Sequence, residues 1–250
     1  MSSQDVVQFV IDQVSEVQAE QPDLELVLSY TGDMVVRGTV RFTIDHGSCA
    51  YRDSYQVEIA ISSDYPASVP TVKETAGVIP ADFHRFPKTS NLCLAAPVEL
   101  IRVFAQDRTL RHYINRLLIP YLFSYTYFRE NGQLPHGELS HGLIGILEYY
   151  QEFSAVGPVT AMKLLKLLAD NFAPSLILCP CNNGLKLQDC HGPKLNELHP
   201  LLPPEHFEND LRELIKIEQV ANIKLPYWEI MSERMLRNQN KRRRKKVKKR

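Results

Sequence analysis

The spacing of hydrophobic positions changes from a helical to a strand pattern near residue 22. Apolar residues recur every three or four positions over residues 3–19, which predicts a helix that ends at Gln21-Pro22-Asp23. From Leu24 onward apolar and polar residues alternate, which is typical of half-buried antiparallel strands. The alternation predicts a meander of four strands at about 24–30, 36–44, 55–61 and 71–75, with the last one at the sheet edge.

Helical spacing returns after residue 110. The stripe from Leu110 to Tyr125 predicts a helix that covers one side of the sheet, with a kink at Pro120. Shorter helices are predicted at 141–154, around Met162, Leu165 and Leu168, and over Phe207, Leu211, Leu214 and Ile217. The predicted fold class is α+β, with domains at 1–155, 156–200 and 201–240 and a disordered tail at 241–250.

Charge is segregated along the chain. The last ten residues, KRRRKKVKKR, contain nine of the 29 basic residues and none of the 29 acidic ones, which leaves a net charge of −9 on residues 1–240. Such a run predicts a solvated tail that could contact nucleic acid weakly, meet an acidic protein surface, or only aid solubility. No stretch of eighteen apolar residues occurs and the N-terminus carries acids, so we expect a cytoplasmic protein with no membrane contact.

The segment from Tyr65 to Leu94 has neither a strong strand nor a strong helix period. Pro66 and Pro70 each remove a backbone donor, so the chain between them cannot continue a sheet. A loop held by prolines can present a reactive side chain, and this one delivers Cys93 between two leucines. We interpret it as an active-site flap with a thiol; the competing interpretation is a small buried hydrophobic residue.

The order of these features resembles the ubiquitin-conjugating enzyme family over about residues 1–150. The resemblance rests on the helix, the four-strand meander, Tyr65-Pro66 with Pro70, His84, and the Leu-Cys93-Leu triplet. It implies that Cys93 carries a ubiquitin-like modifier as a thioester and transfers it to an amine. The implied partners are that modifier, its activating enzyme and a protein acceptor.

One departure from the family concerns the transfer step. His84 matches the first position of the family's His-Pro-Asn tripeptide, but Arg85 and Phe86 follow it, so the asparagine that supports the oxyanion is missing. Because one oxyanion donor is typically worth about 3 kcal/mol, another group must replace it. Asn91 is our candidate and His84 the alternative donor, unless His84 only ties the flap to the sheet. The predicted catalytic set is Cys93, His84 and Asn91.

A second stretch resembles bacterial relatives of these enzymes that are encoded in anti-phage defence operons. It reads Gly137-Glu138-Leu139-Ser140-His141-Gly142. Glu138 and His141 could form an acid/base pair or cap a helix, and we leave both outside the predicted site.

Three cysteines and a histidine lie within thirteen residues near the end of the chain. Cys179, Cys181, Cys190 and His191, with Gly184 at a tight reversal, can close a tetrahedral zinc site from one short loop. The pattern resembles the SEC-C zinc motif. Because all four donors come from protein, the predicted zinc is structural and not hydrolytic. Cys49 lies beside a turn, far in sequence from any partner, and we interpret it as a packing residue.

Two other functions compete with the conjugating enzyme. The first is an inactive binding module of the same fold, which would hold protein or nucleic acid through the predicted zinc site at 179–191, a zinc knuckle, and through the basic tail at 241–250. The second is a cysteine hydrolase, which would need Cys93 and His84 within hydrogen-bond reach.

Overall fold

The computed structural model describes residues 3–29, 33–135, 143–171, 177–216, 225–232 and 234–237. The chain divides into two compact units, Met1–Glu138 and Leu139–Arg250, and each is described by itself.

A four-stranded antiparallel sheet forms the centre of the first unit. Its strands are β1 (Glu25–Leu28), β2 (Met34–His46), β3 (Cys49–Ile61) and β4 (Thr71–Glu74), and they lie side by side in chain order. The predicted meander is confirmed. The long β2–β3 hairpin pairs Met34 with Ile61 at one end and His46 with Cys49 at the other.

The strand alternation determines which side chains enter the core. Inward positions in the middle of β2 and β3 are buried, with partly buried Gly38 as the exception, and they are Val36, Val40, Tyr55, Val57 and Ile59. Helix α1 (Ser3–Gln18) buries four valines, Val6, Val10, Val14 and Val17, at the predicted helical spacing. The apolar stripe of this helix and the inward face of the sheet therefore share one core.

The chain after the sheet is more helical than the sequence predicts. Helix α2 (Pro97–Gln106) was not predicted. It is followed by α3 (Leu110–Tyr113), a π-helical turn (Ile114–Leu118) and α4 (Ile119–Asn131), which contacts β2 and β3. Where the sequence predicts a kink at Pro120, the structure has this π-helical turn: Pro120 has no amide hydrogen to donate, and the Ile119 N–H reaches back to the Ile114 carbonyl.

A polar network joins β3 to α4. Asp53 Oδ2 accepts hydrogen bonds from the Tyr55 hydroxyl at 2.8 Å, the Thr126 hydroxyl at 2.9 Å and Arg129 Nη2 at 2.8 Å. Because Thr126 is fully buried, the network satisfies polar atoms that water cannot reach.

The second unit is built from helices in its described part. They include α5 (Leu143–Ser154), α6 (Pro158–Ala169), α7 (Gly192–Leu198), α8 (Pro204–Ile215) and α9 (Tyr227–Ile230), with a 3-10 turn at Leu187–Asp189. Helix α6 contacts the other four of these. The predicted helices around residues 147, 165 and 211 are confirmed.

Candidate functional site

The segment that carries Cys93 forms a small hairpin along β4, the edge strand. The Leu92 N–H donates to the Val72 carbonyl at 2.8 Å, and the Cys93 N–H donates to the His84 carbonyl at 2.7 Å. Nearer the tip, the Phe86 N–H donates to the carbonyl of Asn91 at 2.9 Å. Cys93 is therefore held in an extended segment whose backbone is bonded on both sides.

The Cys93 thiol is half-buried. Leu92 is buried against the core, and since side chains alternate in an extended segment, Asn91 and Cys93 lie on the opposite face. The thiol sulfur lies 3.8 Å from the Ala95 carbonyl oxygen, to which it can donate. Burial raises the pKa of this thiol, so the protonated form predominates at neutral pH.

His84 and Asn91, the other two residues of the predicted catalytic set, lie in different surroundings. His84 lies opposite Cys93 through the backbone, and its φ of +39° is a left-handed conformation that a non-glycine residue keeps only when its surroundings fix it. Its ring packs edge-on against Phe83. The side-chain amide of Asn91 makes no hydrogen bond to any residue that the structure describes, so its two N–H donors are available to a ligand.

A buried ion pair beneath the hairpin was missed by the sequence reasoning. The Glu74 carboxylate is fully buried and accepts from the backbone N–H of Ala76 at 2.7 Å and from Arg85 Nη2 at 3.0 Å. Arg85 Nη2 also donates to the Glu74 carbonyl at 2.9 Å. The alternation of inward and outward positions in β4 could have revealed this pair. Val72 and Glu74 occupy the two inward positions of the strand, and a buried carboxylate requires a partner.

Helix α4 supports the same loop with two tyrosine hydroxyls. Tyr121 Oη lies 3.0 Å from the Phe83 carbonyl oxygen and 3.3 Å from that of His84, and Tyr125 Oη donates to the Val78 carbonyl at 2.7 Å. Burial raises the pKa of Tyr121, so its hydroxyl remains a donor throughout the neutral range. Sequence spacing assigned both tyrosines only to an apolar helix face.

The second unit brings the four predicted metal ligands together. The sulfurs of Cys179, Cys181 and Cys190 and Nδ1 of His191 all lie within 4.8 Å of one another. Two of the separations are 3.6 Å, between the sulfurs of Cys181 and Cys190, and 3.2 Å, between the Cys179 sulfur and His191 Nδ1. The reversal between them passes through Gly184 at a φ of +81°.

The orientation of the His191 ring suits a ligand. Nε2 lies 3.0 Å from the Ser154 carbonyl oxygen. A carbonyl can only accept, so Nε2 carries the hydrogen and Nδ1 presents its lone pair to the three sulfurs. This cluster could bind a divalent metal ion.

The interpretation of Cys49 as a packing residue is wrong. It is exposed and does not pack, because it opens β3 directly after the β2–β3 turn, where little of the sheet covers it. Glu138, His141 and the basic run 241–250 lie outside the described residues.

Among the described residues, no helix combines the length and apolar character needed to cross a membrane. Comparison with known proteins yields no match for this chain among family models, curated proteins or solved structures.

Proposed function

We propose that the first unit carries a ubiquitin-like modifier as a thioester on Cys93 and transfers it to an amine. The observation that carries this proposal is the half-buried thiol in an extended segment bonded to the edge of the sheet and to His84. Such a segment holds the sulfur in place, and the partial exposure of Cys93 supports access by an acyl group. The element order, a helix and a four-stranded meander before the thiol, supports the same proposal.

The proposed reaction consists of two acyl transfers. The Cys93 thiolate attacks the activated C-terminal carbonyl of the modifier, and the thiolate of the activating enzyme leaves. An acceptor amine then attacks the thioester and gives up a proton to solvent, and the Cys93 thiolate leaves. A thiol with a raised pKa is a poorer leaving group, which favours a thioester that persists until an amine arrives.

Asn91 is the proposed donor to the oxyanion of the second step. It lies on the same face of the extended segment as Cys93, and its amide has no partner among the described residues. Phe86, at the position of the family's asparagine, is about half exposed and has no side-chain donor. His84 is the alternative.

Charging of the purified protein tests this function. We would incubate it with ATP and with the activating enzyme and modifier encoded beside its gene, then run non-reducing gels. The expected adduct disappears with reductant, is absent in Cys93→Ala, and resists reductant in Cys93→Ser. Cys49→Ala is the matched control, because it removes an exposed thiol and should charge normally.

A binding module is the second candidate. It is favoured by Arg85, whose charge is engaged with buried Glu74 and is not offered to a substrate. Such a module would hold protein or nucleic acid through the second unit and residues 241–250. An uncharged protein that still binds a partner, with Cys93→Ala binding equally well, would support it.

The Cys–His cluster is the proposed site of a structural zinc ion. With Zn–S bonds of about 2.3 Å, tetrahedral geometry puts two sulfur ligands about 3.8 Å apart, close to the 3.6 Å between Cys181 and Cys190. Four protein donors leave no open position for catalytic water. Elemental analysis should find one zinc per chain, and less than about half an equivalent in protein purified without chelator would contradict the assignment.

A bacterial cytoplasm is the proposed setting. All five cysteines are free, which suits a reducing compartment. The resemblance of residues 137–142 to defence-operon relatives suggests an anti-phage role, which deletion of the gene before phage challenge would test.

A further inference from the structure

The C-terminal end of helix α5 has an unusual set of hydrogen-bond partners. The last four carbonyls of a helix have no intrahelical donor and need other partners. Two are satisfied by the next residues of the chain: the Ala155 N–H donates to the Glu152 carbonyl and the Val156 N–H to the Gln151 carbonyl, both at 3.2 Å. Ala155 has a φ of +54°, so this is a left-handed cap built without glycine.

The other two carbonyls are capped by side chains from the metal-ligand segment and the helix that follows it. His191 Nε2 donates to the Ser154 carbonyl at 3.0 Å, and Lys194 Nζ donates to the Phe153 carbonyl at 2.5 Å. Lys194 Nζ also lies 5.4 Å from the centre of the Phe153 ring. Since Ser154 is 4% exposed, water has little access to replace the imidazole there.

We propose that metal binding at the Cys–His cluster strengthens His191 as a C-cap for α5, so that metal occupancy sets the order of the last turn of this helix. The proposal rests on the metal site and is independent of the thioester chemistry. A metal on Nδ1 fixes both the tautomer and the direction of the ring, which aims the Nε2 hydrogen at Ser154. Without the metal, the ring is held by that hydrogen bond and by the contacts of Nδ1 with the Cys179 and Cys190 sulfurs, at 3.2 and 3.1 Å, and a thiol is a weak donor that fixes the ring less firmly than a metal bond would.

Linkage makes the coupling reciprocal. If the metal strengthens the helix cap, an intact cap must strengthen metal binding by the same factor. Ala155→Gly gives a matched test, because glycine adopts a positive φ readily and should strengthen the part of the cap that does not involve the metal. This variant should hold zinc more tightly and lose less helix order when zinc is removed.

Hydrogen exchange on the full chain, read by mass spectrometry, tests the proposal. Zinc-loaded protein is compared with protein stripped by a chelator and with stripped protein given one equivalent of zinc chloride. Stripping should raise exchange at residues 150–156 by several-fold to about tenfold, the effect expected for one lost hydrogen bond, and zinc should reverse it. The amides of β2 and β3 serve as the internal reference and should not change.

His191→Cys separates capping from metal binding. This variant keeps four metal donors but has no outer nitrogen for Ser154, so at full zinc occupancy residues 150–156 should exchange as in the stripped wild type. Wild-type protection in zinc-loaded His191→Cys would overturn the proposal, and so would unchanged exchange after stripping of the wild type. Stoichiometry is measured first, and a wild type that takes up no zinc would overturn the metal site and the cap together.

Discussion

At the residue scale, the proposed chemistry depends on how far the Cys93 thiol is buried away from water. Burial raises its pKa, and its hydrogen bond goes to the Ala95 carbonyl, which does not favour the thiolate. This environment suits an acyl carrier better than a hydrolase, since a hydrolase needs a base bonded to its nucleophile.

Alkylation by iodoacetamide should therefore show a high thiol pKa. In a Cys49→Ala background, we expect the rate at Cys93 to keep rising with pH beyond the ordinary thiol value of 9.0, because only the thiolate reacts. Peptide mass spectrometry measures the rate at this residue. A plateau below that value would contradict the role given to burial.

Replacement of Asn91 should affect one step of the proposed reaction. Asn91→Ala and Asn91→Asp each remove the N–H donors, so transfer to a free amine should slow by about 100-fold while charging proceeds normally. Single-turnover discharge of the preformed thioester measures the transfer rate. If His84→Ala shows this slowing and Asn91→Ala does not, the donor is His84.

At the scale of elements, the Cys93 hairpin is held by contacts that cross from β4 and α4. The Glu74–Arg85 pair fixes it to the end of β4, and Tyr121 fixes it to α4. The hairpin is short and cannot build a core of its own, so these polar contacts position it together with buried Leu92 and its backbone bond to Val72.

Removal of one partner of the buried pair should be costly. Arg85→Met leaves a buried carboxylate without its cation, and we expect a loss of about 3–5 kcal/mol in the free energy of unfolding. Arg37→Met is the control, because its pair with Glu25 is more than half exposed and should contribute less than about 1 kcal/mol. Urea denaturation measures both, and equal losses would contradict the importance of burial.

The Asp53 network predicts a loss of stability in acid. Burial by itself would raise the pKa of Asp53, but hydrogen bonds from the Ser54 backbone and the Tyr55 and Thr126 hydroxyls, with Arg129, lower it overall. A lowered folded pKa stabilises the fold above the unfolded value near 3.8, and this stabilisation is lost as pH falls through the folded pKa. Asp53→Asn should therefore lose less stability than the wild type between pH 5 and 2. Urea denaturation at each pH measures the free energy of unfolding, and an equal fall in the wild type and in Asp53→Asn would contradict this.

At the scale of the whole molecule, the sequence was informative where periodicity was strong and local. Alternation over β2 and β3 predicted the sheet, and close spacing predicted the four residues of the metal cluster. Helix α2 was missed because it begins after Ala96 without a side-chain cap, and its other start signals, Pro97 at the first position and Glu99 in the first turn, were not recognised.

Contacts between distant residues were beyond sequence reasoning. Tyr121 reaches carbonyls 37 and 38 residues earlier, and His191 reaches a carbonyl 37 residues earlier. Periodicity shows that a helix has an apolar face, but it does not show which hydroxyl on that face meets a loop carbonyl.

The most direct measurement is peptide mapping of the charged protein. After the charging reaction with Cys93→Ser, trypsin should release residues 89–102 with the C-terminal residue of the modifier esterified to position 93, while residues 42–52, which contain Cys49, stay unmodified. That result would establish position 93 as the acyl carrier. An adduct found only on residues 42–52, or none from any candidate modifier, would contradict the account.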